Sequence, residues 1–167
     1  MNTSFQSGYL SLKQSGKLDE RVKLAKEHFE SCYLCPHECG IDRNTELGIC
    51  RSSNKAIIAS YGPHYGEESV LVGRNGSGTI FFSFCNMKCV FCQNHDISHF
   101  GKGQEVTNKK LADIMLNLQN EYKCHNINLV TPTHFVPNIL EAVSIAIEYG
   151  LKIPLVYNCG GYERIET

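Results

Sequence analysis

The sequence predicts an α/β fold, the N-terminal portion of a parallel (β/α) barrel of about three β/α units preceded by a cysteine-rich leader. Three observations carry that reading. From residue 78 onward, short apolar runs rich in β-branched and aromatic residues alternate with helical stretches. Those stretches suit right-handed crossovers between parallel strands, and three strands do not close a barrel. Ahead of them, four cysteines and several turn formers crowd into residues 32–50.

In chain order, KLDERVKLAKEHFES (17–31) places Val22, Ala25 and Phe29 on one helical face with charge on the other. The segment 32–50, with Pro36, Gly40 and Gly48 among its cysteines, reads as a compact metal-bound loop. KAIIAS and SVLVG read as short strands around a YGPHYGEE turn. TIFFSF (79–84), bounded by Gly78, suits a strand buried on both faces. Thr107 or Asn108 caps a helix whose apolar stripe is Leu111, Ile114, Met115 and Leu118. NINLV (126–130) is the next strand. Pro137 then sits in the first turn of a helix buried through Ile139, Val143 and Ile147, with Gly150 just past its end. IPLVYN (153–158) is the last strand. The chain therefore divides at position 77: 1–77 holds the leader helix, the four-cysteine loop and short strands, and 78–167 holds an α/β core cut short after three strands. Missing strands would leave an edge and apolar surface uncovered, so this chain alone is expected to be poorly stable or inactive unless another chain completes it.

Sixteen basic residues balance seventeen acidic ones in 167, with no cationic run. That composition gives no footprint for nucleic acid or an anionic membrane. The start of the chain is polar and no eighteen apolar residues run together, which predicts a soluble cytoplasmic protein.

Nine cysteines are too many for packing in such a protein, and an odd number cannot all pair. They fall into three sets. Cys85, Cys89 and Cys92 stand in the loop CNMKCVFC, directly after a strand. Parallel strands present their C-terminal ends on one side, where ligands bind, so Cys85, Thr131 to His134 and Asn158 to Gly161 are expected to converge. Cys124 precedes its strand and should lie at the opposite end. Thiolates are the usual iron-sulfur ligands, and three of them leave one iron of a cubane open. The alternatives are a zinc site completed by a distant ligand such as His95, or reduced structural cysteines.

The spacing CxxxCxxC, with aromatic Phe91 before Cys92, resembles the radical S-adenosylmethionine (SAM) superfamily. GSGTIFFSFCNMKCVFCQN is similar to the PflX-like proteins, relatives of pyruvate formate-lyase-activating enzyme. SCYLCPHECGIDR, YGPHYGEE, NLVTPTHFVPNILEA and VYNCGGYE also resemble that subgroup, so the likeness runs from about residue 17 to the end.

The resemblance implies a partial radical SAM barrel and a [4Fe-4S] cluster on Cys85, Cys89 and Cys92. It implies that SAM chelates the open iron and is cleaved reductively to methionine and a 5′-deoxyadenosyl radical, which abstracts hydrogen from a substrate. It further implies an electron donor such as flavodoxin or ferredoxin, and a protein substrate on which a glycyl radical is generated. Phe91 would pack near adenine or fill the barrel mouth. Many relatives carry a GGE-like segment after the second strand to hold the SAM amino group; TPTH stands there in this chain. Thr131, Thr133 or His134 are the candidates to supply such contacts. Asn158 is the candidate from the third strand, with Cys159 turned to the other face. The competing reading is an iron-sulfur or zinc-binding module without SAM chemistry.

Cys32, Cys35, Cys39 and Cys50 form a complete tetrahedral set for a second, structural metal, either zinc or an iron-sulfur centre. His95 and His99 have metal-like helical spacing, but no firm helix is predicted there, and they read as solvated loop residues.

Overall fold

The computed structural model describes residues 6–167. Two helices, Gly8–Gln14 (α1) and Lys17–Glu30 (α2), meet at Gly16, whose φ of 76° turns the chain in a region open to glycine. Residues 31–55 form turns and bends only. Ala56–His64 is a strand (β1), Ser69–Val72 a helical turn (α3), Ser77–Phe82 a strand (β2) and His95–Ser98 another helical turn (α4). Gln104–Val106 (β3), Asn108–Asn120 (α5), Ile127–Val130 (β4), Val136–Glu148 (α6) and Leu155–Asn158 (β5) complete the order.

The strands make one open five-stranded sheet in the order β3-β1-β2-β4-β5. β2, β4 and β5 run parallel, as the strand–helix alternation predicts, with Ile80 opposite Leu129 and Leu129 opposite Tyr157. β1 is antiparallel to both β2 and β3, so the sheet is mixed. This α/β sheet is consistent with part of a radical SAM domain.

The helix signals act as expected. The Thr107 hydroxyl accepts from the Lys110 N–H at 3.1 Å and caps α5. Pro137 occupies the first turn of α6, and Gly150 follows that helix with φ 90°. Leu111, Ile114, Met115 and Leu118 of α5 and Ile139, Ala142, Val143 and Ala146 of α6 are buried against Ile80, Phe82, Ile127 and Leu129. Leu18 of α2 and Ala56 and Ile58 of β1 belong to the same core, which thus draws on both sides of position 77. Tyr9 Oη donates to Ile153 O and Ser7 Oγ to Lys152 O, both at 2.7 Å, tying α1 to the entry of β5.

Three local expectations are corrected, and one element is added. SVLVG is no strand: Val72 N donates to Glu68 O, and Leu71 O accepts from the Asn126 side chain, so contacts with the start of β4 override the β-propensity of two valines. YGPH of the expected turn continues β1, because His64 finds a pairing partner in Ser77. His95 begins a helical turn, with its ring stacked on His99 at 4.1 Å. α1 adds a helix that its short mixed pattern, GYLSLKQ, did not announce.

Candidate metal centre at the strand ends

β2 delivers the CNMKCVFC loop to the C-terminal edge of the sheet. Phe84 and Lys88 take left-handed backbone conformations, φ 65° and 50°, which reverse the chain on either side of Cys85. Gly101 makes room for the first of these: a β-carbon there would stand 2.2 Å from the Phe84 ring. Phe84 N donates to Ile97 O at 2.9 Å, closing the loop back on α4.

The three thiols differ in surroundings. Cys85 is buried, while Cys89 and Cys92 are partly exposed. Met87 N–H points at Cys85 Sγ at 3.3 Å, and the Ser98 hydroxyl donates to Cys92 Sγ at 3.2 Å. Ser98 also stands 2.9 Å from His99 Nδ1. All nine cysteines are free thiols.

The end of β5 meets this loop. Gly160 lies directly under Met87, and the Asn86 amide donates to Tyr162 O at 2.6 Å. Thr131, after β4, has φ 55° and donates through its N–H to Asn158 O at 2.9 Å. A β-branched residue in the left-handed region is strained, and here it sits where β4 leaves the sheet. Thr133 is buried, donates to Glu163 Oε1 at 2.6 Å, and receives Tyr157 Oη at 3.3 Å. His134 is a core histidine: Nε2 bonds Ser83 O at 2.9 Å, and burial pushes its pKa down to about 4, leaving the ring neutral. Phe91 is 83% exposed, and Asn158 and Cys159 are both exposed. Cys124 lies at the opposite end of the sheet, its thiol 3.7 Å from Asn75 O.

The four-cysteine segment packs against the same loop. His37 Nε2 bonds Asn86 O at 2.7 Å, and its ring meets Tyr162 edge-on at 5.2 Å. Lys88 Nζ donates to Ile49 O, and Arg51 Nη1 to His99 O at 3.5 Å. Within the segment Cys32 and Cys50 are buried, and a β-carbon on Gly48 would lie 3.4 Å from Cys50 Sγ and 3.9 Å from Cys39 Sγ. Burial pushes the Cys35 thiol pKa up, with the nearby Cys50 and Cys32 thiols acting in the same direction.

Among the described residues no three His, Cys, Asp or Glu side chains form a ready metal cage. The fit to a cluster therefore rests on the donor set: three free thiols on one short loop, two of their sulfurs already met by N–H or O–H donors. That is the donor chemistry of a thiolate-bound iron-sulfur centre, and ligand binding that draws thiols together is coupled to local folding. His37, Asn86, Ser98, Tyr162 and Glu163 were not found by sequence reasoning. Gly160-Gly161, a pair that permits close backbone approach, is the sequence signal that could have found this contact.

No helix among the described residues is long and apolar enough to cross a membrane. The sequence profile of the Radical SAM superfamily matches residues 79–166, just over half the chain. An uncharacterized protein of Methanocaldococcus jannaschii is 36% identical over 172 residues, covering 98% of this chain and 48% of that protein. The chain thus spans about half the length of the curated relative it matches. No solved structure matches.

Proposed function

This chain belongs to the radical SAM superfamily, and from that premise we propose that it carries the cluster-binding part of an enzyme that cleaves SAM reductively. The observation that carries this reading is the meeting of the CNMKCVFC loop with the segment past β5, on the side where the parallel strands β2, β4 and β5 end. Cys85, Cys89 and Cys92 would hold a [4Fe-4S] cluster. When bound with SAM at its open iron, that group supplies one-electron cleavage to a 5′-deoxyadenosyl radical.

The chain's own residues hold the loop in place. Phe84, Gly101 and Ile97 set the turn into the loop, and Met87 and Asn86 brace it against the 160–162 segment. Ser98 and the Met87 N–H donate to sulfur and stabilise thiolate charge. Thr131, Thr133 and Asn158 stand at the strand ends from which SAM would be contacted, and exposed Phe91 is free to lie against adenine. In this reading His134 supports the turn from inside rather than touching SAM, since its Nε2 is committed to Ser83 O.

The finer reading is an activating enzyme of PflX-like type, drawing electrons from a flavodoxin or ferredoxin and generating a glycyl radical on a partner protein. The motif strings carry it. A partial barrel and a cytoplasmic, reducing setting belong to the same reading. Cys32, Cys35, Cys39 and Cys50 would hold a second metal, zinc or iron-sulfur, that shapes the segment bracing the loop. Anaerobic reconstitution with iron and sulfide, followed by dithionite and SAM, tests the central assignment: 5′-deoxyadenosine forms, and Cys85→Ser, Cys89→Ser or Cys92→Ser abolishes it. Iron content unaffected by all three substitutions would remove the assignment.

A further inference from the structure

The four-cysteine segment places one charge inside the protein. Gly40 N donates to Cys32 O and Cys32 N to Ile41 O, both at 3.0 Å, and Arg43 N donates to Phe29 O at 2.6 Å. Residues 40–43 therefore run back alongside residues 29–32, and Arg43 turns inward. It is 1% exposed, the largest fully buried side chain among the described residues. Its Nη2 donates to Ser53 O at 2.5 Å. The guanidinium carbon stands 5.6 Å from the centre of the Phe29 ring and 6.0 Å from that of Phe135.

No carboxylate pairs with Arg43 among the described residues, and its Nε and Nη1 have no hydrogen-bond partner. Asp42, its neighbour in the chain, turns Oδ1 to the backbone N–H and side-chain amide of Asn44. The two aromatic rings offer cation–π contact but no net charge. A guanidinium stays ionised inside a protein, so its burial without a counter-charge is costly. Its free N–H groups are closed to solvent, so the answering charge has to act across the packed interior and not by contact from outside.

The four thiols can supply that charge. Arg43 lies between Cys39 and Cys50 in sequence, its backbone runs beside Cys32, and both Cys32 and Cys50 are buried. Ser53, whose carbonyl holds Nη2, is three residues past Cys50, roughly 10 Å along an extended chain. Thiols are neutral, but four of them closed on Zn2+ or on an oxidised [4Fe-4S] cluster leave two net negative charges. At ~10 Å and an effective dielectric of ~20, a buried cation favours each by on the order of tenfold in affinity. Lys88 and Arg51 border the same segment, yet at the surface, where water screens them. We propose that Arg43 is the internal counter-charge of the four-cysteine centre, raising its affinity for metal at the expense of the metal-free chain. The proposal rests on the reading that Cys32, Cys35, Cys39 and Cys50 take a metal.

The test uses the protein with Cys85, Cys89 and Cys92 changed to Ser, so that the second set of thiols is read alone. Zinc affinity is measured by competition with a chromophoric chelator, and the urea midpoint with and without zinc. Arg43→Met, similar in length but uncharged, should weaken zinc binding at least about tenfold while leaving the metal-free midpoint unchanged or raised. Arg43→Lys keeps the charge and should bind zinc within about threefold of the parent, as should Arg51→Gln, which removes a surface charge. If Arg43→Met fails to fold by circular dichroism, Arg43→Gln against Arg43→Lys makes the same comparison. A lowered metal-free midpoint with zinc affinity unchanged would make Arg43 a packing residue and overturn the proposal. An equal loss of affinity in Arg43→Lys or Arg51→Gln overturns it as well. Absence of zinc binding in the parent removes the metal reading and the counter-charge together, whereas zinc bound with an affinity indifferent to residue 43 removes the counter-charge alone.

Discussion

Met87 of the cluster loop lies so close on Gly160, two residues past β5, that a β-carbon at 160 would come within 2.0 Å of the Met87 sulfur. The Gly160→Ala variant must therefore move the thioether. Methionine is unbranched and adapts, so the stability cost should stay near ~1 kcal/mol, while the loop itself is displaced. The expected signature is a near-normal denaturation midpoint with a faster loss of cluster absorbance in air. Adding Met87→Ala should restore the slower loss, as a double-mutant cycle would show for a direct clash. Independent, additive effects would show that the contact does not position the loop.

His134 predicts a pH dependence of folding. Its pKa falls from an ordinary 6.5 to about 4 because burial opposes the charged ring. The unfolded chain thus binds the extra proton between those values, and stability falls as pH drops from 6.5 towards 4. Between pH 7 and pH 5 the loss from this residue is about 2 kcal/mol. Urea denaturation at both pH values checks it: His134→Gln should lower stability at pH 7 but flatten the difference. A variant with the wild-type pH slope would assign the loss to other groups.

The parts of the fold legible in the sequence are those whose periodicity matches their burial. α5 and α6 each present one apolar stripe to the sheet, and β2 and β4 are short apolar runs covered on both faces. β3 was not legible, since Gln104, Glu105 and Val106 gain strand conformation only by pairing with β1. SVLVG misled because its conformation is set by Asn126, fifty-five residues away from Leu71. The site divides in the same way. Three thiols announce themselves by spacing, whereas His37, Asn86 and Tyr162 meet partly through backbone carbonyls, which any residue type supplies. Convergence of the strand ends followed from parallel topology alone.

The four-cysteine segment predicts a second metal that survives loss of the first. Residues 31–55 contain no helix or strand, and their apolar packing is confined to Cys32, Leu34 and Ile41 against Val136 and Leu140. So long an irregular stretch needs another constraint, and four thiols supply one. A variant with Cys85, Cys89 and Cys92 all changed to Ser should retain metal by elemental analysis. Changing Cys32 and Cys50 as well should release it and raise proteolysis within 31–55. If the first variant carries no metal, these four thiols are structural without ligation.

The Ser98 hydroxyl predicts a tuned redox potential. It is the one side-chain donor to a loop sulfur at hydrogen-bond distance among the described residues, 3.2 Å from Cys92 Sγ. Donors to cluster sulfur stabilise the more negative, reduced state and so raise the potential. Ser98→Ala should therefore lower the midpoint potential of the reconstituted protein while leaving its iron content unchanged. Ser98→Thr keeps the hydroxyl and should restore much of the difference in an anaerobic redox titration. Loss of iron in Ser98→Ala would mean that the hydroxyl holds Cys92 in place. An unchanged potential with full iron would mean that the hydrogen bond is released once the thiols are ligated.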